Sequence, residues 1–160
     1  MGFATHLGPW LLGTTKDTTG TTAATTRNTG STVVMQTKAI TFADTSATNS
    51  FALPAGAIVH DVSLYVDATV FNGTSPTITV KNGSTTVGTI TPTSGTAGVY
   101  SMTATATVAA VALLSNIGSS DVFFTHTVSG TSVTTGAGTL AITYSVRGSD
   151  GVGYPVGNQN

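Results

Sequence analysis

Cysteine and glutamate are absent from this 160-residue chain, and charged residues of all kinds make up only 7% of it. An ordinary soluble domain carries about 25% charged residues. Without cysteine, disulfides, thiol chemistry and cysteine-ligated zinc sites are excluded. The formal net charge is −1. Because phosphate neutralisation needs a basic face, we expect no nucleic-acid partner.

Long apolar runs are also missing at the N-terminus. Its apolar run is limited to Trp10, Leu11 and Leu12, and no basic segment precedes it. A secretory leader needs a longer apolar region, and a membrane-spanning helix needs about 20 apolar residues. We therefore expect neither a cleaved leader nor a membrane partner.

Threonine is the most abundant residue and makes up about a fifth of the chain. Its β-branched side chain suits a half-buried strand, whereas the strong helix formers are scarce here. The composition therefore predicts an all-β fold. A surface with few charges also repels its own copies weakly, which favours a protein held in an assembly over a free monomer.

Apolar and polar residues alternate from Thr32 onward, which predicts strands with one buried face. The clearest of these strands runs from Ile58 to Val70. About eight short strands separated by turns indicate a β-sandwich or jelly-roll-like single domain. The apolar positions expected to form its core are Ile58, Val62, Leu64, Val66, Ile78, Val80, Phe124, Leu140, Ile142 and Val146.

Local signals place the connections between these strands. The pairs Asn72-Gly73 and Asn82-Gly83 predict two consecutive hairpins, because both residue types accept positive φ angles. Residues 108–117 are rich in alanine and leucine without alternation, which predicts one short helix or a buried loop. The chain is thus divided into an extended arm at 1–31, a β-sandwich at 32–148 and a tail at 149–160.

The arm carries one compact apolar segment in an otherwise polar, threonine-rich stretch. A segment with so few apolar residues cannot fold on itself, yet large apolar side chains are costly to leave in water. We expect the segment to dock on another molecule, with packing beneath its own domain as the alternative. The predicted docking residues are Phe3, Leu7, Trp10, Leu11 and Leu12.

The three histidines offer little metal chemistry, because none has metal-ligand spacing with another histidine or a carboxylate. His60 and His126 fall in phase with inward-facing apolar residues, which predicts hydrogen-bonded core or rim histidines. A metal shared between subunits through His6 or His126 is the alternative. No metal or cofactor site is predicted.

Catalytic signatures are missing as well. The carboxylates Asp61 and Asp67 share one strand face but lie about 20 Å apart by strand rise, too far to act together. The sequence therefore predicts a protein that is not an enzyme. A binding role is the alternative: Phe71, Tyr100 and Tyr154 could form an exposed patch that recognises a glycan.

Two stretches resemble small virion proteins of tailed bacteriophages. The block LPAGAIVHDVSLYVDATVFNGTSPTITV, residues 53–80, is similar to a pattern in such proteins, and residues 8–30 resemble the arms of marine podophage virion proteins. The resemblance is to small capsid decoration, or cement, proteins. It implies a β-sandwich on the outer capsid surface that clamps neighbouring major capsid subunits, often as a homotrimer. A tail- or head-fibre-associated β-domain that binds a host surface glycan is the alternative.

Overall fold

The computed structural model describes residues 33–115, 117–118 and 120–146. The predicted arm, the tail and the boundaries at residues 31 and 148 lie outside these ranges and stay predictions. The described elements, in chain order, are β1 (Val33–Thr41), β2 (Thr48–Leu53), β3 (Ala57–Val66), β4 (Thr74–Asn82), β5 (Thr85–Ile90), β6 (Gly98–Ser101), β7 (Thr103–Ala104), α1 (Val108–Ser115), β8 (Val122–Thr131) and β9 (Ala137–Val146).

The strands form two antiparallel sheets, which confirms the all-β sandwich. Their orders are β1-β9-β3-β6 in the first sheet and β2-β8-β4-β5-β7 in the second. If the two-residue β7 is left out, β1 pairs with β9, β2 with β8, β3 with β6, and β4 with β5, so the pairs are nested from the outermost strands to the innermost. Such nested pairing across two four-stranded sheets is the topology of a jelly roll.

Both ends of the described chain lie at the same end of the sandwich. Val33 pairs with Ser145, and Ala57 pairs with Val146. Helix α1 reaches this end too, since the amide of Ile117, just beyond it, donates to the carbonyl of Ala57. We call it the helix end. At the opposite end, here called the loop end, residues 67–73, 91–97 and 132–136 connect the strands.

The buried core lies between the two sheets and largely matches the sequence prediction. Leu64, Ile78, Phe124, Leu140 and Ile142 are completely buried, and the predicted Val62, Val66 and Val80 are buried with them. Two predicted core positions, Ile58 and Val146, are wrong. Val146 is 36% exposed, because it is the last residue of β9 and lies at the margin of its sheet.

A β-bulge in β3 explains why Ile58 is not in the core. The pairing of β3 with β9 shifts between Val59 and Asp61, so His60 is an extra residue. An extra residue reverses the faces of the side chains that precede it. Ala57 is therefore buried, Ile58 is only half-buried and His60 is exposed, contrary to its expected inward phase. His60 Nε2 lies 3.0 Å from Ser145 Oγ.

One of the two predicted hairpins is correct. Asn82-Gly83 joins β4 to β5, whose residues Asn82 and Thr85 pair directly. Asn72-Gly73 instead connects β3 in the first sheet with β4 in the second. The same turn residues serve both connections, because positive φ is needed in either: Gly73 has a φ of 83°. The stretch 108–117 does form the predicted helix, which ends at Ser115.

The edge strands β1 and β2 are joined by a single side chain. The side-chain nitrogen Nε2 of Gln36 donates to the carbonyl of Ala52 at 2.7 Å and to the hydroxyl of Tyr144 at 2.8 Å. The amide oxygen of Gln36 accepts from the nitrogen of Ala52 at 3.3 Å. The side chain of Gln36 thus pairs with both backbone groups of one residue, Ala52, on the edge strand β2.

Candidate functional site

The predicted docking residues of the arm, Phe3, Leu7, Trp10, Leu11 and Leu12, lie outside the described residues, as does Tyr154. Their roles stay predictions. Two members of the proposed aromatic patch can be placed. Tyr100 is half-buried, and its hydroxyl donates to the carbonyl of Thr96 at 2.9 Å. Phe71 has no exposed surface, so its assignment to an exposed patch is wrong.

Phe71 is buried because the loop end closes over it. A Cβ atom placed on Gly136 would lie 2.2 Å from Cδ1 of Phe71, so only glycine leaves space for the ring. The amide of Gly95 donates to the carbonyl of Phe71 at 2.8 Å. Two loops thus enclose this residue. Without it, the predicted glycan patch has lost its central apolar surface.

Asn72 fastens the same loops together. Its Oδ1 accepts hydrogen bonds from the amides of Thr134 at 2.8 Å and Thr135 at 3.0 Å, and its Nδ2 donates to Thr134 Oγ1 at 2.8 Å. A side-chain amide that satisfies backbone groups of a distant loop fixes that loop's conformation. The loop end is consequently a hydrogen-bonded cap.

The helix end, in contrast, exposes apolar side chains. The chain has ten exposed large apolar residues within its described ranges, and seven of them lie at or near this end. On the first sheet, Val33 is 62% and Met35 61% exposed; on the second, Phe123 is 58% exposed. The other members of the group are Val34, Val108, Val111 and Val146. These residues encircle one end of the sandwich.

Helix α1 is the most apolar part of this surface. Its sequence VAAVALLS has no charged residue, and only Ala110 is fully buried. Leu113 and Leu114 pack against the core, whereas Val108 is 90% and Val111 51% exposed. An ordinary surface helix turns a polar face outward. Sequence reasoning located the helix but missed this surface, although the missing polar face was a readable signal.

A second cluster joins three polar side chains from separate parts of the chain. His126 on β8 is completely buried, as expected for a core histidine. Its Nδ1 lies 2.7 Å from Ser50 Oγ, and its Nε2 lies 3.3 Å from Asp44 Oδ2. Since a carboxylate only accepts, Nε2 of His126 donates to Asp44, and the hydroxyl of Ser50 also donates to the carbonyl of Thr48 at 3.2 Å.

Serine, histidine and aspartate are also the groups of hydrolytic triads, but this cluster is arranged as a clamp. Asp44 accepts a further hydrogen bond from the amide of Thr41 at 2.8 Å, and its carbonyl accepts from the amide of Val128 at 2.7 Å. The cluster therefore ties the β1–β2 loop and β2 to β8. His126 lies 76 residues from Ser50 and 82 from Asp44 in sequence, so no local pattern indicated the cluster.

The clamp affects the acidity of Asp44. Burial alone would raise its pKa, but the hydrogen bonds from Thr41 and His126, together with the charges of His126 and Lys38, outweigh burial. The pKa of Asp44 is therefore lower than its ordinary value of 3.8. The fold thus favours the ionised carboxylate.

Replacing Asp44 with asparagine is expected to reduce the sensitivity of the fold to acid. The Asp44 carboxylate contributes its stabilisation fully above the unfolded-state pKa, and this is lost as the pH falls through the lower folded-state pKa. Urea unfolding from about pH 6 to about pH 2.5 should show the difference in free energy of unfolding between wild type and Asp44→Asn shrinking with acidity. Asp67→Asn, at an exposed loop carboxyl, is the control. If the difference in free energy of unfolding between wild type and Asp44→Asn stayed constant across this pH range, the lowered pKa of Asp44 would be contradicted.

In the described ranges, no three metal-binding side chains come close enough to hold an ion. The same part of the chain contains no helix long and apolar enough to cross a membrane.

Comparison with known proteins gives one structural likeness. No family model matches the chain, and no curated protein matches it. A solved chain from the cyanophage Pam1 capsid asymmetric unit is similar in structure, with a TM-score of 0.57 and 22% sequence identity. The match covers 82% of this chain and 97% of that chain. At this identity the likeness shows a shared fold.

Proposed function

We propose that this protein is a non-enzymatic component of a tailed-phage virion that decorates the outer capsid surface and clamps neighbouring major capsid subunits. The observation that carries the proposal is the fold shared with a chain of a cyanophage capsid asymmetric unit, which extends over nearly all of that chain. The partners are the major capsid protein and further copies of this chain, arranged as a homotrimer. Nucleic acid and membrane have no part in this role.

The surface of the described domain supports an assembled state. Exposed apolar side chains gather at the helix end, and few charges are available to keep copies apart. Large exposed apolar patches mark interaction sites in soluble proteins. The predicted arm, if it inserts between capsid subunits, would add contacts that a sandwich alone lacks.

The stoichiometry of purified virions tests the proposal. Quantitative mass spectrometry should find this protein in a fixed, near-stoichiometric ratio to the major capsid protein, and sedimentation of the isolated protein should give a symmetric oligomer. A handful of copies per particle would contradict decoration and favour the tail- or fibre-associated glycan binder. A strict monomer, with isolated single copies on the particle, would contradict the trimer.

A further inference from the structure

We infer that the helix end of the sandwich, with the outward face of α1 at its centre, is the surface that faces the capsid shell, and that the loop end points away from it. The inference deepens the proposed function and rests on it. It assigns an orientation to the domain and names the chemistry of the partner: an apolar, weakly charged protein surface of the shell.

The described chain begins and ends at the helix end of the domain. Residues 1–32 precede β1, and residues 147–160 follow β9, so both segments depart from the helix end. The longer segment carries the apolar residues between Phe3 and Leu12. About 20 residues of chain separate Leu12 from Val33 and span at most about 70 Å when extended. An arm anchored in the shell would therefore tether the domain to the shell through this end.

The surface around α1 carries little charge. No charged residue occurs in α1 or elsewhere between Asn82 and Ser120, a stretch that also includes the loop-end residues 91–97. Two charged residues, Lys81 and Asp121, border it; Oδ1 of Asp121 accepts the amide of Ala55 at 3.0 Å. A surface with so little charge cannot select a charged partner by complementarity, and it strongly disfavours unpaired charges opposite it. An apolar partner surface is the match.

The two ends of the sandwich differ in how well their groups are covered by internal contacts. At the loop end, Asn72, Phe71 and Gly136 form a closed cap in which polar groups satisfy one another, and the apolar residues exposed near it are three, Phe42, Tyr65 and Val99, against seven at the helix end. At the helix end, the outward face of α1 has no described side chain covering Val108, which is 90% exposed. A surface whose polar groups are already hydrogen-bonded within the domain is stable in contact with water. An exposed apolar surface is stabilised when a partner covers it.

A charge placed on α1 tests the orientation. The full-length double variant Val108→Asp/Val111→Asp is compared with Val99→Asp, which changes a similarly exposed valine on β6 away from the helix end. Acidic residues in the first turn suit the helix dipole, so the helix should persist. Circular dichroism and thermal unfolding check the fold. Val108→Ser/Val111→Ser is a milder second variant that removes the apolar contact without adding charge.

Binding is measured on capsids that lack the protein. We expect the aspartate variant to bind at least about tenfold more weakly than wild type, the serine variant to bind with an intermediate loss, and Val99→Asp to bind normally. If the α1 variants bound capsids as tightly as the wild type, the proposed orientation would be overturned. The same holds if Val99→Asp lost as much capsid affinity as the α1 variants or more. Neither result would contradict the proposed function. A change of oligomeric state without capsids would also overturn the orientation, because the surface would then lie between copies. Failure of the wild type to bind would remove the proposed function itself.

Discussion

Deletion of residues 1–13 is expected to leave a folded sandwich that no longer decorates particles. The deleted segment contains Phe3, Leu7 and the run Trp10–Leu12, whose burial is worth roughly 1.5 to 3 kcal/mol for each large side chain. Ordering the arm costs about 1 to 2 kcal/mol per residue, which offsets most or all of this gain for a single arm. Firm attachment then depends on many arms and sandwich contacts acting together. Losing the apolar segment from every copy should therefore abolish occupancy.

Occupancy on capsids is read by gel densitometry of sedimented particles. A full-length variant with Trp10, Leu11 and Leu12 all replaced by alanine separates the loss of apolar contact from the loss of length. Thr21→Ala/Thr22→Ala, in the polar part of the arm, is the matched control. Normal occupancy of the truncated protein would make the arm dispensable, and attachment would then depend on the sandwich alone.

The Phe71→Ala variant should lose several kcal/mol of folding free energy. Phe71 is completely buried beneath Gly136, and truncating a buried phenylalanine costs about 3 to 5 kcal/mol. For a domain of this size, such a loss lowers the melting temperature by on the order of 10 to 20 °C. Thermal unfolding of Tyr100→Phe, which removes only the hydroxyl bonded to Thr96, is expected to show a much smaller change.

A double-mutant cycle identifies the contact responsible. A methyl group at Gly136 collides with the Phe71 ring, so Gly136→Ala should cost more in the wild type than in the Phe71→Ala background. The positive φ of Gly136, 145°, leaves a residual cost in both backgrounds. If Phe71→Ala left the stability unchanged but reduced binding to a glycan, the exposed aromatic patch would be restored and the buried position contradicted.

Sequence alternation predicted the parts of the fold in which strand phase is uninterrupted. In β9, Leu140 and Ile142 are buried as expected, and so are Ile78 and Val80 in β4. In these strands the burial of one side chain fixes that of its neighbours two positions away. The predicted helix also agrees, because its alanine and leucine residues have no strand period.

The wrong predictions share one physical cause: the local sequence does not show which distant residues a segment will contact. The bulge at His60 leaves the apolar residues on either side looking continuous, so Ile58 seemed to share the face of Val62. Asn72-Gly73 has the same turn chemistry as a hairpin although β3 and β4 belong to different sheets. Phe71 beside that turn was predicted to be exposed, but the loop from Thr134 to Gly136 and the loop that contains Gly95 enclose it.

The candidate site was predictable only in part for the same reason. The clamp of Asp44, Ser50 and His126 joins residues that no motif spacing connects. The exposed face of α1 depends on which side of the helix meets the core, and a helix apolar on every side gives no indication of that. The apolar arm was visible in sequence, because it is a local cluster in a polar stretch.

The nested strand pairing also sets the order in which the chain can fold. Hairpin β4–β5 joins neighbouring residues, whereas the ladder of β1 with β9 runs from Val33 opposite Ser145 to Thr41 opposite Ala137. Closing so long a loop costs entropy before any contact compensates for it, so folding with many non-local pairings takes milliseconds to seconds. A nascent chain still emerging from the ribosome can form its central hairpin but cannot close its first sheet. The strand that continues directly from the arm therefore finds its partner only after β9 has been synthesised.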